Sequence, residues 1–188
     1  MASDPAPRHN RPDLLESLGE VFAEYGYDGA TLARLAGATG LSKASLYHHF
    51  PGGKAEMAAT LLRQSVAVLE HDAFARLSAE APPHERLAAF IDGFQSYTRD
   101  GDRGCLLAVL AQGSAGRVYG ARIADQYEDW RRRLAATFED AGLKPKRAAR
   151  AATELLSTLY GSLQLARLTN DPATFARQIR RLKKTLPA

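Results

Sequence analysis

Apolar residues recur in this chain at intervals of three and four positions, the spacing of one face of an α-helix. Runs in which β-branched and polar residues alternate, as in a half-buried strand, are scarce. The stripe Leu14, Leu18, Val21, Phe22 and Tyr25 is typical and predicts a first helix with one buried face. The pattern therefore predicts an all-α fold.

Glycine and proline indicate where the predicted helices end. Gly26 ends the first helix, Pro82-Pro83 break the fourth after Leu77, and the glycine-rich run 113–116 ends the sixth. No internal repeat is evident. Nine helices are predicted, at about 12–25, 32–39, 43–49, 54 into the seventies, 84–98, 105–112, 118–141, 145–168 and 171–186.

The segment TLARLAGATGLSKASLYHHFPGGK, residues 31–54, carries the most specific pattern in the chain. It predicts two short helices joined by a turn at Gly40, with Thr31 and Ser42 as N-caps. Four apolar side chains are predicted to face the first helix: Leu35, Leu41, Leu46 and Phe50. The second short helix is left with an outer face that carries Lys43, Ala44, Ser45, Tyr47 and His48. Such a helix suits the major groove of DNA, where its N-terminal residues reach base edges.

These elements resemble the DNA-binding domain of the TetR/AcrR family of bacterial transcriptional regulators. The resemblance rests on FAEYGYDGAT, on LSKASLYHHF and on a lysine that opens a long helix, and it covers about residues 11–62. The PGGK after Phe50 and the GCLLA beginning at Gly104 resemble the LmrA/YxaF-like subgroup, whose members repress multidrug-efflux and similar genes. The implied architecture is an N-terminal tail with a three-helix helix-turn-helix domain, residues 1–54, joined to a helical ligand-binding and dimerisation domain, residues 55–188.

The resemblance implies that the outer residues of the motif contact DNA. The predicted contacts are Thr31, Ser42, Lys43, Ala44, Ser45, Tyr47, His48 and Lys54. Lys54 would grip phosphate together with the free N–H groups that open the fourth helix, and His48 would face a base or the backbone. Tyr47 is equally well explained as a phosphate contact or as a partly packed ring. The commoner family sequence lacks the second glycine of PGGK. The direction in which the Lys54 side chain points is therefore left open.

Inward-facing aromatics on the later helices favour a cavity for a small hydrophobic effector. The corresponding helices of the family enclose a ligand site, and a mostly apolar pocket with few polar groups suits such a ligand. Taken singly, each aromatic is better explained as core packing, whereas the group favours a pocket. The predicted lining is Phe90, Phe94, Tyr97, Cys105, Tyr127 and Trp130.

The last two predicted helices, at about 145–168 and 171–186, are the expected homodimer interface. The resemblance implies a four-helix bundle with their twofold mates, which would place two recognition helices about one DNA turn apart on a palindromic operator. The predicted function is a ligand-responsive DNA-binding regulator, most simply a repressor. The alternative is a helical small-molecule-binding or interaction protein that does not read DNA, against which Lys43, Tyr47 and Lys54 argue.

Net charge refines this prediction only when it is examined locally. The chain has a net charge of +4, but residues 1–54 carry five basic and six acidic residues, whereas residues 131–188 carry thirteen and four. Between Gly29 and Ala55 there is no acidic residue, while Arg34, Lys43 and Lys54 are basic. A local positive surface therefore coincides with the helix-turn-helix.

Enzyme chemistry receives little support from the sequence. The single cysteine, Cys105, has no motif relation to His71 or His84, and it excludes both an intramolecular disulfide and a zinc site built on paired cysteines. No catalytic residue, metal or cofactor is therefore predicted. No stretch is long and apolar enough to span a membrane, and the polar residues 1–10 indicate a loose tail on a cytoplasmic protein.

Overall fold

The computed structural model describes residues 11–187, in which the regular elements are helices and no strand occurs. The all-α prediction is confirmed for this part of the chain, and the predicted tail at residues 1–10 lies outside it. Two short 3-10 turns, Phe74–Ser78 and Arg99–Gly101, join longer elements. The helices are α1 (Arg11–Gly29), α2 (Leu32–Thr39), α3 (Lys43–His49), α4 (Gly53–Asp72), α5 (Pro83–Tyr97), α6 (Leu106–Leu110), α7 (Gly113–Asp140), α8 (Pro145–Thr169) and α9 (Pro172–Lys184).

The first three helices share a small apolar core. Leu18 and Phe22 of α1 are buried, as are Leu35 of α2 and Leu46 of α3. The backbone of α1 breaks at Gly26, whose φ of 69° lies in the left-handed region that glycine adopts without strain. The apolar stripe of α1 therefore ends before this break and fixes the positions of α2 and α3.

Tyr25 was predicted on the buried stripe of α1, and that prediction is wrong. The residue is 43% exposed, and the guanidinium of Arg34 lies 4.3 Å from the centre of its ring. Helical spacing correctly identified the buried face of α1, but it did not show that Tyr25 lies at the margin of that face. At the edge of the buried face, the ring packs against a cation at the surface, a contact worth about 0.5–1 kcal/mol.

The fourth helix is shorter than its apolar pattern suggested. It ends at Asp72, and Leu77, predicted on its face, is buried in the following 3-10 turn. The backbone of α5 crosses here so closely that only a glycine, Gly93, fits against Asp72 and Ala73. The crossing accounts for the position where the long helix stops, and it depends on residues about 20 positions apart.

The largest error in the predicted helix limits concerns α7. Residues 113–116 were predicted to end the sixth helix, but they form the first turn of α7. Gly113 has a φ of 59°, and the Asp28 carboxylate accepts hydrogen bonds from the Ser114 backbone N–H, at 3.0 Å, and from its hydroxyl. The carboxylate that caps α7 lies 86 residues away in the chain. No local sequence pattern therefore marks the start of this helix.

Helices α7, α8 and α9 form the other end of the molecule. Asp171 caps α9 by accepting from the Ala173 N–H at 3.1 Å, and Pro172 follows in the first turn, as predicted. Leu163 of α8 and Phe175 of α9 are buried. None of the helices in residues 11–187 has both the length and the apolar character needed to cross a bilayer.

Candidate DNA-binding surface and effector site

The turn between α2 and α3 has the geometry of a helix-turn-helix. Gly40 takes a φ of 66°, and the Thr39 hydroxyl donates to the Leu35 carbonyl at 2.8 Å, closing the end of α2. Leu46 holds α3 against the core with no exposed surface. Because α3 is only seven residues long, anchoring it at Leu46 leaves its opposite face in solvent.

Both predicted N-caps are present. The Thr31 hydroxyl accepts from the Arg34 N–H at 3.3 Å, and the Ser42 hydroxyl accepts from the Ser45 N–H at 3.0 Å. The Ser42 and Ser45 hydroxyl oxygens also lie 2.9 Å apart. Each hydroxyl can still act as an acceptor or a donor toward a partner outside the chain, because it offers one donor and two acceptor positions.

The predicted contact residues of α3 lie together on its open face. Ser45 is half-buried beside its cap, while the rest are exposed: Lys43, Ala44, Tyr47 and His48. In the described residues no carboxylate lies within 4.0 Å of the Lys43 ammonium. The face therefore offers an unpaired positive charge at the N-terminal end of a short, rigidly anchored helix.

The second glycine of PGGK has a structural role beside α3. Gly53 has a φ of 63°, and a Cβ there would lie 3.1 Å from Cε1 of Tyr47. The Tyr47 ring therefore rests on the backbone that begins α4, although 47% of the residue stays exposed. The packed side of the ring agrees with the packing interpretation of Tyr47, and the exposed remainder leaves the phosphate contact as a prediction.

Lys54 is held inside the domain. Its ammonium donates to the Tyr27 carbonyl at 2.9 Å and lies 4.5 Å from the centre of the Tyr27 ring. The Glu56 carboxylate accepts from the Gly52 N–H at 2.7 Å, so a side chain of the protein already occupies part of the N-terminus of α4. The structure thus places Lys54 beside the predicted surface, with part of its hydrogen-bonding capacity already used.

Contacts that the sequence did not reveal connect this surface to the later helices. The Tyr119 hydroxyl of α7 donates to the Ala55 carbonyl at 2.8 Å, next to Lys54. Hydrogen bonds from Ser114 lower the pKa of the Asp28 carboxyl below its usual value. Since these partners are more than 60 residues apart, only the folded chain brings them together.

The residues predicted to line an effector pocket form a packed aromatic core in this structure. Tyr127 is half-buried, and the others are at most 6% exposed: Phe90, Phe94, Tyr97, Cys105 and Trp130. The Trp130 ring stacks on Phe74 at 4.4 Å and contacts Tyr127 at 5.4 Å between centroids. Their inward positions are as predicted, but the rings fill the space between them.

Polar groups are nevertheless present in this core. The Cys105 thiol lies 3.7 Å from the Tyr160 hydroxyl, and the buried Tyr97 hydroxyl has no hydrogen-bond partner among the described residues. Burial raises the pKa of the Cys105 thiol, so the thiolate needed for redox chemistry is disfavoured. Residues 11–187 contain no cluster of three His, Cys, Asp or Glu side chains suited to a metal ion.

A cavity of about 90 Å³ lies beside this core, between α4, α6 and α7. None of the six predicted residues lines it. Its walls are Leu62, Arg63, Val66, Leu107, Arg122, Ile123 and Gln126. Aromatic periodicity indicated which residues are buried, but burial alone does not tell whether side chains enclose space or fill it.

A helix-turn-helix carried by α1–α3 and continued through α4 into a larger helical body defines a DNA-binding regulator with a separate sensing region. Residues 14–61 match the family described as bacterial regulatory proteins, tetR family, and residues 83–181 match the LmrA/YxaF-like transcriptional regulator C-terminal domain. The chain belongs to the TetR family, with a C-terminal domain of the LmrA/YxaF-like type. Relatives of this family are transcriptional regulators and not enzymes, in agreement with the prediction.

Individual relatives agree with this assignment. The repressor AcnR of Corynebacterium glutamicum is 40% identical over 67 residues, which span 36% of this chain and only 35% of AcnR. The regulator LmrA of Bacillus subtilis is 25% identical over 162 residues, 84% of this chain and 86% of LmrA. The crystal structure of AibR in complex with isovaleryl coenzyme A and operator DNA shares the fold, with a TM-score of 0.62 at 20% identity over 80% of this chain and 85% of AibR.

Proposed function

We propose that this protein is a transcriptional repressor that binds a palindromic DNA operator as a homodimer in the cytoplasm and leaves it when a small molecule binds. The observation that carries the proposal is the exposed, basic face of α3 within the part of the chain that matches the TetR family. We place the boundary between the DNA-binding domain and the effector-binding and dimerisation domain between residues 54 and 55, in the first turn of α4.

The proposed DNA contacts follow from the position of α3. With α3 in the major groove, Lys43, Ala44 and His48 lie on the face toward the bases. Ser42 lies beside that face and would contact phosphate or a base edge, with Ser45 next to it. Thr31 and Tyr47 would contact phosphate. Phosphate contacts set the register of the protein on DNA, whereas contacts to base edges give the sequence preference.

Dimerisation through α8 and α9 is supported by the surface that these helices leave uncovered. Leu165 and Leu168 of α8 are exposed, and a side chain added at Gly161 would meet nothing within 4 Å. Leu155, Leu159 and other apolar residues of α8 are buried within the chain, so they are not available to a partner. The Gly161, Leu165 and Leu168 face of α8 is therefore the part that we assign to the twofold interface.

Coupling between effector and DNA would pass through the contacts that join α7 to α1 and α4. Asp28 caps α7, and Tyr119 of α7 bonds the first turn of α4. A shift of α7 would therefore act on the end of α1 and the start of α4, the two elements that flank the helix-turn-helix. Release requires a coupling free energy of only about 1–3 kcal/mol, which is within the usual allosteric range.

The experiment that tests this function is selection of binding sites from a random duplex DNA pool by the purified protein at a stated salt concentration. We expect enrichment of a palindrome whose half-sites are about one helical turn apart. A folded, ligand-free protein that enriches no sequence would instead be a helical sensor or interaction protein without DNA reading.

The role of Lys54 can be separated from its packing on Tyr27. We expect Lys54→Ala to weaken binding to every DNA sequence and to reduce the slope of log K against log salt by about 0.9, the value of one lost phosphate contact. The slope is measured by fluorescence anisotropy between low and moderate salt, and Lys146→Ala, an exposed change at the start of α8, is the control. An unchanged slope with a lower melting temperature would make Lys54 a purely structural residue.

His48 is expected to affect sequence preference rather than overall affinity. It is exposed on the open face of α3, where a side chain can reach a base edge. Replacing it with alanine should change the preferred base at one position in each half-site, with a loss of discrimination of about 1–3 kcal/mol there. Repeating the selection with His48→Ala checks this, and an operator preference identical to the wild type would contradict the assignment.

A further inference from the structure

We infer that the effector of this regulator is a short organic acid, whose carboxylate lies between Arg63 and Arg122 and whose apolar body fills the cavity between α4, α6 and α7. The inference rests on the proposed function and adds to it the chemical class of the effector. It also moves the effector site from the aromatic core to a neighbouring cavity.

The cavity wall combines an apolar floor with a rim of hydrogen-bond donors. Its apolar part consists of Leu62, Val66, Leu107 and Ile123. The remaining lining residues are Arg63, Arg122 and Gln126, and no acidic residue lines the cavity. Such a wall favours a ligand with an aliphatic or aromatic body and a negative end, because a ligand cation would meet two positive charges.

The two guanidinium groups are available to a ligand. Within residues 11–187 no carboxylate oxygen lies within 4.0 Å of Arg63 or Arg122, and the Arg63 guanidinium donates to the Thr60 hydroxyl at 3.0 Å. By contrast, three successive arginines of the same α7 pair with carboxylates: Arg131, Arg132 and Arg133. A carboxylate placed between two unpaired guanidinium groups gains charge-assisted, bidentate hydrogen bonds.

Glu70 does not oppose an acidic ligand. One of its oxygens accepts from the Trp130 indole N–H at 2.5 Å and from the Gln126 amide at 3.3 Å, and the other accepts from Arg133 at 2.6 Å. Its charge is thus compensated by donors from α7, and the same bonds hold α4 against α7 along the cavity.

The size of the cavity limits the ligand. A volume of about 90 Å³ is smaller than a cavity of about 150 Å³ that holds benzene. The apolar chain of the ligand is therefore shorter than the six carbons of benzene, and its carboxylate stays at the rim. A ligand in this cavity would contact α4 and α7 together, and α4 leads directly into the DNA-binding domain.

The test uses the full-length protein without DNA and two matched pairs of probes: butyrate with butyramide, and hexanoate with hexanamide. Binding is followed by thermal shift and by the fluorescence of Trp130, the only tryptophan, which lies one helical turn from Gln126. We expect the acids to bind and the neutral amides to bind at least about tenfold more weakly. Arg63→Gln and Arg122→Gln should each weaken the acids about tenfold. Arg122→Lys should retain part of the affinity.

The control is Arg117→Gln, which removes the same charge from an exposed position on α7 outside the cavity and should leave acid binding unchanged. Amides that bind as well as acids, acid binding that survives both glutamine variants, or an acid series without any binding would each overturn the inference.

In a second arm, hexanoate is added to the selected operator complex, and the acid should release the DNA from the wild type but not from Arg122→Gln. If the acid binds but the protein stays on the operator DNA, the acid is not the effector. Because the first arm contains no DNA, its result does not depend on whether the protein reads an operator.

Discussion

Replacing Gly93 with alanine is expected to lower the free energy of unfolding by about 3 kcal/mol, among the largest effects of any single methyl group added to this protein. A Cβ at this position would lie 2.0 Å from the Asp72 carbonyl oxygen, 2.6 Å from its carbonyl carbon and 2.7 Å from the Ala73 Cα. These are backbone atoms at the end of α4, so no side-chain rotation relieves the overlap. Either α5 moves away from α4, or the last turn of α4 unwinds.

The measurement is urea or thermal unfolding at a fixed protein concentration, with Gly120→Ala as the matched control. Gly120 lies within α7, and a Cβ there would meet nothing within 4 Å. Alanine should therefore stabilise the protein by about 0.5–1 kcal/mol, because it restricts the unfolded chain. Gly93→Ala should lower the melting temperature by roughly 6–12 °C. Equal melting temperatures for the two variants would show that the α4–α5 crossing adjusts easily.

Changing Leu168 to aspartate is expected to convert the proposed dimer to a monomer and to weaken operator binding at least about a hundredfold. Leu168 is 83% exposed and Leu165, three positions earlier on α8, is 54% exposed. Two exposed leucines beside the open position of Gly161 are removed from water when a second α8 packs there. A pair of buried, unpaired carboxylates across the twofold axis would prevent that packing.

Sedimentation equilibrium gives the oligomeric state, and a gel-shift titration on the selected operator gives the affinity. The control is Val118→Asp, which adds the same charge at a 71% exposed apolar residue near the start of α7. That variant should remain dimeric and bind the operator normally. A Leu168→Asp protein that is still a dimer with wild-type affinity would place the interface elsewhere. A monomer with full affinity would show that the two half-sites are bound independently.

Both predictions concern positions whose importance depends on residues far away in the chain. Gly93 looks like an unfavourable residue in the middle of a helix, and only the crossing with Asp72 explains it. Leu168 lies on the side of α8 opposite the buried Leu159 and Leu163, and only the folded chain shows that nothing within it covers this leucine.

The sequence by itself determined the features that depend on near neighbours. Helical periodicity predicted the all-α fold, and the glycine turn and hydroxyl caps at Gly40 and Ser42 predicted the helix-turn-helix with correct limits. The outward face of α3 followed as well, because on a seven-residue helix the position of one anchor, Leu46, decides the direction of every other side chain. These signals involve residues within one or two helical turns of each other, so they can be recognised from the sequence without the tertiary structure.

Tertiary structure alone decided the rest. The start of α7 depends on a cap from Asp28, the position of Lys54 depends on the carbonyl of Tyr27, and the unpaired state of Arg122 depends on which carboxylates the fold brings near it. The aromatic stripes identified buried residues such as Trp130, but the remaining space lies next to Leu107 and Ile123. Whether a cavity exists depends on how side chains from three helices fit together, and no periodicity within a single helix carries that information.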